Sequence, residues 1–499
     1  MKLFIDNQTE FLNDYYFQTL CLLYFPGEKF GAGDEGVNRA YFLLKPEGSG
    51  FYACVRLCAG SAEASAEYTD LRSAPAVGGM NDEFYATRAL GRAFLLAGER
   101  LFGFSLPWGY LTGLRPVKRA KYYLDRGESA ETVTKLFTGD YLVSAEKASL
   151  AVETAVTEEA MLADVGEKDC AVYVSIPFCP TRCDYCSFVS YSNERLFRLI
   201  PDYLVRLMQD IRRTGELIKE LGMRVRAVYI GGGTPSILEP EQTDMLLDCI
   251  AGSIGITAET EFTFEAGRPD TITREKLFAV ARHGVRRISV NPQSTSDTVL
   301  ENIGRKHTAR QFFEAAELAR GFGFSCLNAD LIAGLPGDNS ESFAKSVEDM
   351  INCGFDNITV HTLSIKNAAP IRFIGDGFYD PAGELARDSV RYARARLAAA
   401  GLYPYYLYRQ KNTVGNAENT GFAVKGSENL YNVLMMEEYS TVFACGAGAI
   451  SKFVNPARNE IYRHAFPKYP YEYLNEDRSA AMSEAAVRFY TECSATRRI

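Results

Sequence analysis

From Ala171 onward the chain alternates short β-branched runs with longer stretches in which apolar positions recur every three or four residues. The short runs are AVYVSI (171–176), RAVYI (226–230), EFTFE (261–265), RRISV (286–290), CLNADLI (326–332) and NITVHTL (357–363). Between them lie amphipathic stretches such as ERLFRLIPDYLVRLMQDIRRTGELIKEL and ARQFFEAAELARGFG. Short apolar runs bounded by polar or glycine-rich segments read as strands, and the 3.6-residue period between them reads as helix. Strands alternating with helices at this spacing predict βα units on a parallel sheet, an α/β fold. Six such units predict a partial (β/α)6 barrel, whose chemistry gathers at the carboxyl ends of the strands.

The flanks are patterned differently. Residues 1–165 predict a separate N-terminal α+β domain in which no chemical motif is legible. AYFLLKPEGSGFYACVRL, with its glycine-rich centre, reads as a hairpin, and NDEFYATRALGRAFLLAGERLFG and VKRAKYYLDRG read as helices. Arg115, Lys118, Arg119 and Lys121 around the latter read as a solvated face rather than an anion site. AEKASLAVETAVTEEAMLADV reads as a helical connector into the barrel domain, 166–375. Residues 376–499 predict a mixed C-terminal extension, with a helix in ELARDSVRYARARLAAAG, an aromatic strand in LYPYYLYRQ and a small-residue loop, CGAGAIS, at 445–451.

Composition narrows the classes. A chain of 499 residues exceeds the size at which a single core usually divides. Hydrophobic residues at 47% and charged residues at 23% describe a globular protein, not a disordered or fibrous one. A formal charge of −9 argues against nucleic acid as the main partner. No apolar run approaches the ~20 residues of a membrane span. The opening MKLFIDNQTEFLND carries acids where a signal peptide needs an apolar core, so a cytoplasmic location is expected.

The chain has twelve cysteines. Cys21, Cys54, Cys58, Cys249, Cys326, Cys353, Cys445 and Cys493 stand among apolar neighbours and read as small core residues. Cys179, Cys183 and Cys186 crowd into SIPFCPTRCDYCSFVS, directly after the first barrel strand, with C-x3-C-x2-C spacing. Three thiolates on one tight loop suit a cubane iron–sulfur cluster and leave one iron open. Structural zinc would want four ligands. No fourth Cys or His lies in the loop, and His283, His307, His361 and His464 are distant in sequence. After the second strand, VYIGGGTPS places Gly231, Gly232 and Gly233 where backbone can approach a polar ligand closely. It is neither a P-loop nor the GxGxxG fingerprint. Asp330 sits inside the apolar CLNADLIAGLPG, where a carboxylate is costly without a partner.

The triplet resembles the signature of the radical S-adenosylmethionine (SAM) superfamily, and the likeness extends over roughly residues 171–455. It implies that Cys179, Cys183 and Cys186 hold a 4Fe-4S cluster whose open iron chelates the amino and carboxylate groups of SAM. Reductive cleavage would then give methionine and a 5′-deoxyadenosyl radical that takes hydrogen from a substrate. By the same resemblance Gly232, Gly233 and Thr234 attend the methionine amino group, Glu265 the ribose, and Tyr185 the adenine. Tyr173, Gln293, Arg305 and Asp330 complete the SAM residues, with Ser364 and Ile450 as looser matches, and His307 follows in IGRKHT. SIPFC, GGGTPS, RISVNPQS, ADLIAGLPG and CGAGAIS together resemble the HemN/HemW/HemZ group. The N-terminal extension, FEAGRPDTIT and PYYLYRQKN look most like HemZ-type coproporphyrinogen dehydrogenases.

That resemblance implies anaerobic oxidative decarboxylation of coproporphyrinogen III to protoporphyrinogen IX in heme biosynthesis. A low-potential electron donor such as flavodoxin or ferredoxin would supply the electron. The C-terminal extension would cover the tetrapyrrole. Arg409 and Lys411 are candidates for its propionates, with plain surface charge an equal reading, and Tyr403, Tyr405, Tyr406 and Tyr408 are candidates for its face, with half of the tyrosines expected in the core. Two alternatives stay open, a heme-binding chaperone with a SAM and cluster site and an anaerobic heme-degrading radical methyltransferase. One departure matters. Established oxygen-independent oxidases of this group carry a further cysteine where this chain has Phe188, and the chaperone branch lacks it too.

Overall fold

The computed structural model describes residues 1–31, 37–71, 80–113, 115–188, 190–366, 369–373, 383–455 and 460–495. The boundary expected at 375 and the side chain of Cys493 lie outside the described residues. The chain divides into two compact units, Met1–Val156 with Leu407–Glu418, and Thr157–Tyr406 with Asn419–Ile499.

In the first unit, strands β1 (Lys2–Asn7), β2 (Asn38–Glu47), β3 (Gly50–Ala59) and β4 (Ala62–Asp70) form a sheet in that order. β1 runs parallel to β2, and β2–β3–β4 is antiparallel, so the hairpin read from the sequence is present. Alternation along the strands buries Ala40, Phe42 and Leu44 from β2 and Ala53, Val55 and Leu57 from β3. These side chains share one core with Ala86, Leu90, Ala93 and Phe94 of the helix Asp82–Phe102. That helix begins where the Asn81 side chain accepts from the Phe84 N–H at 3.1 Å. The returning segment 407–418 is tied in by Glu418. Its buried carboxylate accepts from Trp108 Nε1 at 2.9 Å and from Lys147 Nζ at 2.7 Å.

The remaining strands are β5 (Asp169–Ile176), β6 (Arg224–Gly232), β7 (Glu261–Gly267), β8 (Arg287–Val290), β9 (Cys326–Ala333), β10 (Asn357–Thr362), β11 (Tyr403–Tyr408), β12 (Asn419–Ala423), β13 (Thr441–Cys445), β14 (Ile450–Asn455) and β15 (Glu460–Ala465), all in the second unit except the last two residues of β11. Their order across one sheet is β11-β12-β10-β9-β8-β7-β6-β5-β13-β14-β15. The six strands expected from the sequence, β5 to β10, run parallel and in chain order. Because the sheet has two free ends it is a partial barrel, not a closed one. β12 pairs antiparallel to β10, and β13 pairs parallel to β5, so segments after residue 400 extend the same sheet at both ends. The single helix read over ERLFRLIPDYLVRLMQDIRRTGELIKEL is two, Glu194–Phe197 and Ile200–Glu220. Pro201 lacks the N–H to continue a helix and instead opens the second one.

The parallel strands have two unlike faces. Tyr173, Tyr229, Thr263, Glu265, Arg287, Asn328, Asp330, Thr359 and His361 occupy alternate, register-matched positions on one side. Val172, Val228, Phe262, Phe264, Ile288, Leu327, Leu331 and Ile358 occupy the other side and are buried. At the amino ends of the strands the polar face is floored by the helix Leu430–Glu437. Glu261 accepts from the backbone N–H groups of Leu430 at 2.9 Å and Tyr431 at 3.0 Å. Beside it Arg287, 4% exposed, donates to Asn328 Oδ1 at 2.9 Å and to the carbonyls of Ser427 and Glu428 at 2.9 and 2.7 Å.

Cys21, Cys58, Cys249, Cys326 and Cys445 are buried as expected, and so is Cys170. Cys54 and Cys353 correct the expectation, being only half-buried. No helix among the described residues is long and apolar enough to cross a membrane.

Candidate cofactor site

The cysteine loop leaves the carboxyl end of β5 and is pinned by its own backbone and by two distant turns. Cys179 N–H donates to Tyr191 O at 2.9 Å, and Tyr191 N–H returns a bond to Pro177 O at 2.9 Å. Asp184 N–H donates to Ile303 O at 3.0 Å, and Ile371 N–H donates to Asp184 O at 2.9 Å. The triglycine at the end of β6 lets strand and loop meet at backbone distance. A Cβ on Gly233 would lie 2.5 Å from Phe178 O, and Gly232 holds φ at +112° with Ile176 backbone 3.1 Å from its would-be Cβ. Gly233 N–H donates to Ile176 O at 2.7 Å and Thr234 N–H to Phe178 O at 2.8 Å. The glycines thus serve first to seat the loop.

Around the thiols the structure gathers donors. Thr234 Oγ1 donates to Cys179 Sγ at 3.4 Å. Arg305, buried, donates through Nη1 to Tyr185 Oη at 2.9 Å and to Cys183 Sγ at 3.8 Å, and through Nη2 to Asn291 O. Burial pushes the Cys179 thiol up to about 11, with Cys183 and Cys186 close enough to add to the rise. His307 lies near Arg305, Arg268 and Asp270. Burial first, then Arg305, lowers its pKa to about 3, which keeps the imidazole neutral.

The polar face continues the site below the loop. Gly231 faces Glu265, whose Oε2 would stand 2.6 Å from a Cβ there. Burial and then the charge of Asp330 lift the Glu265 carboxyl to about 8. Asp330 is not enclosed as its apolar sequence context suggested. Its side chain is 25% exposed, with His361 Nε2 at 3.8 Å. Tyr173, Tyr229 and Tyr431 stack beneath, with centroids 6.2 Å apart for Tyr173–Tyr229 and 4.7 Å for Tyr229–Tyr431. Gln293 holds φ at +68°, a left-handed geometry costly for a residue with a Cβ. It bridges the chain to β9, its N–H donating to Asp330 O at 3.0 Å and its carbonyl accepting from Ile332 N–H at 3.0 Å.

Thr234 is therefore bonded to Cys179, Arg305 to Cys183 and Tyr185, and Tyr173, Glu265 and Asp330 share one polar face. Ser364 is buried in the loop after β10, and Ile450 is the exposed first residue of β14, two strands beyond β5. The surface reading of Arg409 is corrected. It lies in the first unit, buried, donating to Leu111 O and with its guanidinium 5.7 Å from the Trp108 ring centroid. Lys411, in the same unit, donates to Tyr15 Oη. Of the four tyrosines of the aromatic strand, Tyr405 and Tyr406 are core, as half were expected to be. Sequence reasoning missed Arg268, Asn291, Tyr229 and Tyr431. Their partners are remote in sequence.

These residues fit a cluster carrying a polar, charged ligand. Three thiols share a loop, two guanidinium groups reach one of their sulfurs, and buried Gln293 Oε1 and Asn291 Oδ1 have no hydrogen-bond partner.

Comparison with known proteins agrees with that fit. Residues 173–350 match the Radical SAM superfamily. The chain is 37% identical over 374 residues to the Bacillus subtilis oxygen-independent coproporphyrinogen-III oxidase-like protein HemZ, covering 74% of this chain and 75% of that protein. It is 30% identical over 237 residues to the heme chaperone HemW of Mycobacterium tuberculosis, covering 47% of this chain and 60% of the chaperone. Among solved structures, coproporphyrinogen III oxidase (HemN) from Escherichia coli is 24% identical, with 60% of this chain and 68% of that one covered and a TM-score of 0.48.

Proposed function

Because the chain belongs to the radical SAM superfamily, within its HemN, HemW and HemZ group, we propose that it oxidatively decarboxylates coproporphyrinogen III to protoporphyrinogen IX without oxygen. The observation that carries this proposal is the reach of the likeness to HemZ. Its 37% identity covers 74% of the chain, well beyond the matched superfamily region at 173–350.

The superfamily's cofactors are a 4Fe-4S cluster and SAM. In the proposal Cys179, Cys183 and Cys186 hold the cluster, and Tyr173, Tyr185, Gly232, Gly233, Thr234, Glu265, Gln293, Arg305, Asp330, Ser364 and Ile450 hold SAM. When bound, the pair supplies one-electron chemistry that removes a hydrogen atom from an unactivated carbon. The chain's residues do the rest. Gly232 and Gly233 seat the thiol loop on β6, and Arg305 ties that loop to the turn carrying Asn291. Glu265 and Asp330 present hydrogen-bonding oxygens to hydroxyl or ammonium groups. In the proposed reaction each reacting propionate gives up a β-hydrogen atom, passes one further electron to an external one-electron acceptor and releases CO2, leaving a vinyl group. A low-potential one-electron carrier of the flavodoxin or ferredoxin class is the proposed donor.

One feature favours a second function, a heme-binding chaperone. Phe188, 71% exposed, stands where the established oxidases have a cysteine. The test is an anaerobic, dithionite-reduced reaction with SAM and coproporphyrinogen III, followed by chromatography and mass spectrometry of the oxidised porphyrins. Vinyl products are expected. SAM cleavage without decarboxylation, together with tight heme binding, would transfer the assignment to the chaperone, and a methylated tetrapyrrole would transfer it to a methyltransferase.

A further inference from the structure

Arg268 follows β7 directly, opening the turn Pro269–Thr271, and is 3% exposed. A guanidinium removed from water must spend its donors on partners or cost several kcal/mol, of the order seen for other buried charges. Every edge of this one is used. Nε and Nη2 donate to the two carboxylate oxygens of Asp270, both at 2.9 Å. Nη1 donates to Thr181 Oγ1 at 2.9 Å and to Cys183 Sγ at 3.6 Å. Thr181 lies between Cys179 and Cys183, so a single side chain on β7's turn grips the thiol loop at two points. The turn itself is fixed, since Ser236 Oγ donates to Ala266 O at 2.5 Å and Thr271 Oγ1 to Arg268 O at 2.8 Å.

We propose that Arg268 is a positioning residue that sets the reduction potential of the cluster by donating to the sulfur of Cys183. The inference rests on Cys183 being a cluster ligand and is independent of which tetrapyrrole is the substrate. Reducing a cubane adds one negative charge, shared over its sulfurs. An N–H donor and a fixed cation at a ligand sulfur stabilise that added charge, and hydrogen bonds to sulfur are among the determinants of cluster potential. Burial strengthens the effect, because little water screens the guanidinium from the sulfur. Asp270 grips the opposite edge of the fork, so the charge is held in place rather than left to swing. Arg305 reaches the same sulfur at 3.8 Å, but its donors are shared with Tyr185 and Asn291. Arg268 therefore raises the potential of the cluster to a level its donor can reach, and its removal makes reduction harder.

The experiment reads the potential directly. Wild type, Arg268→Gln and Arg268→Lys are reconstituted anaerobically without SAM, and iron and sulfide are quantified. The reduced cluster is then followed by EPR in a redox titration. At the wild-type midpoint, Arg268→Gln is expected to show about a tenfold lower ratio of reduced to oxidised cluster, a midpoint ~59 mV more negative for a one-electron couple. Arg268→Lys keeps the charge without the planar fork and should shift the same way by less. A wild-type midpoint in a fully loaded Arg268→Gln would overturn the proposal. Should Arg268→Gln fail to hold iron, Arg268→Lys decides, with a negative shift supporting the proposal and a wild-type midpoint overturning it. A wild-type protein that takes up no cluster would overturn the ligand assignment, and this inference with it.

Discussion

At the scale of single residues, two positions separate packing from chemistry. Glu265 carries a carboxyl lifted from 4.5 to about 8, by burial first and Asp330 second. An acid that binds its proton more tightly when folded gives stability that is full below about pH 4.5 and is lost as pH climbs toward 8. Glu265→Gln should therefore melt with the wild type near pH 5 and above it near pH 8.5, measured by calorimetry on cofactor-free protein. Parallel curves would show that the Glu265 carboxyl is not lifted in the folded protein. Gly233→Ala should lose most of its iron on reconstitution, because its Cβ would meet Phe178 backbone at 2.5 Å and backbone has nowhere to go. Full iron loading in that variant would refute the seating role. The thiol triplet is legible in the sequence because three cysteines in eight residues have few other uses. Arg268 is not, because its loop partners Thr181 and Cys183 lie 87 and 85 residues away and a lone arginine before a proline reads as surface.

At the scale of elements, the six parallel strands are legible because each is short, β-branched and closed by a polar or glycine-rich turn. Less visible is that the alternation within them separates a polar face from an apolar one. Asp330 in CLNADLI reads as an intruder in an apolar run, whereas in the sheet it belongs to a polar row with Asn328 and Thr359. The floor of that row depends on Arg287, whose neighbours Glu261, Ser427 and Glu428 come from elements far apart in the chain. Arg287→Ala leaves Glu261 and two carbonyls without their cation, a loss of about 3–5 kcal/mol for a broken buried pair. Urea unfolding should register it, and hydrogen exchange at Leu430 and Tyr431 should quicken as Glu261 loses its anchor. Unchanged exchange there would mean that the helix Leu430–Glu437 is held by packing alone.

At the scale of the whole molecule, the chain builds two units, and the first borrows residues 407–418 from a segment far along the sequence. That return is not legible beforehand, since LYPYYLYRQ reads as one aromatic strand and gives no sign that Arg409 enters a different core. Glu418→Ala would leave Trp108 Nε1 without its acceptor and Lys147 with only the half-exposed Glu146, so the unfolding transition of the first unit should fall by several degrees. Cluster uptake by the second unit should persist, and its loss would show that the two units do not stand on separate cores. The chemistry is tested most directly by following one atom. Coproporphyrinogen III deuterated at the β-carbons of its propionates is incubated anaerobically with reduced protein and SAM, and the 5′-deoxyadenosine formed is weighed by mass spectrometry. The expected result is deuterium in 5′-deoxyadenosine together with vinyl-bearing product, whereas unlabelled 5′-deoxyadenosine with intact propionates would contradict the assignment.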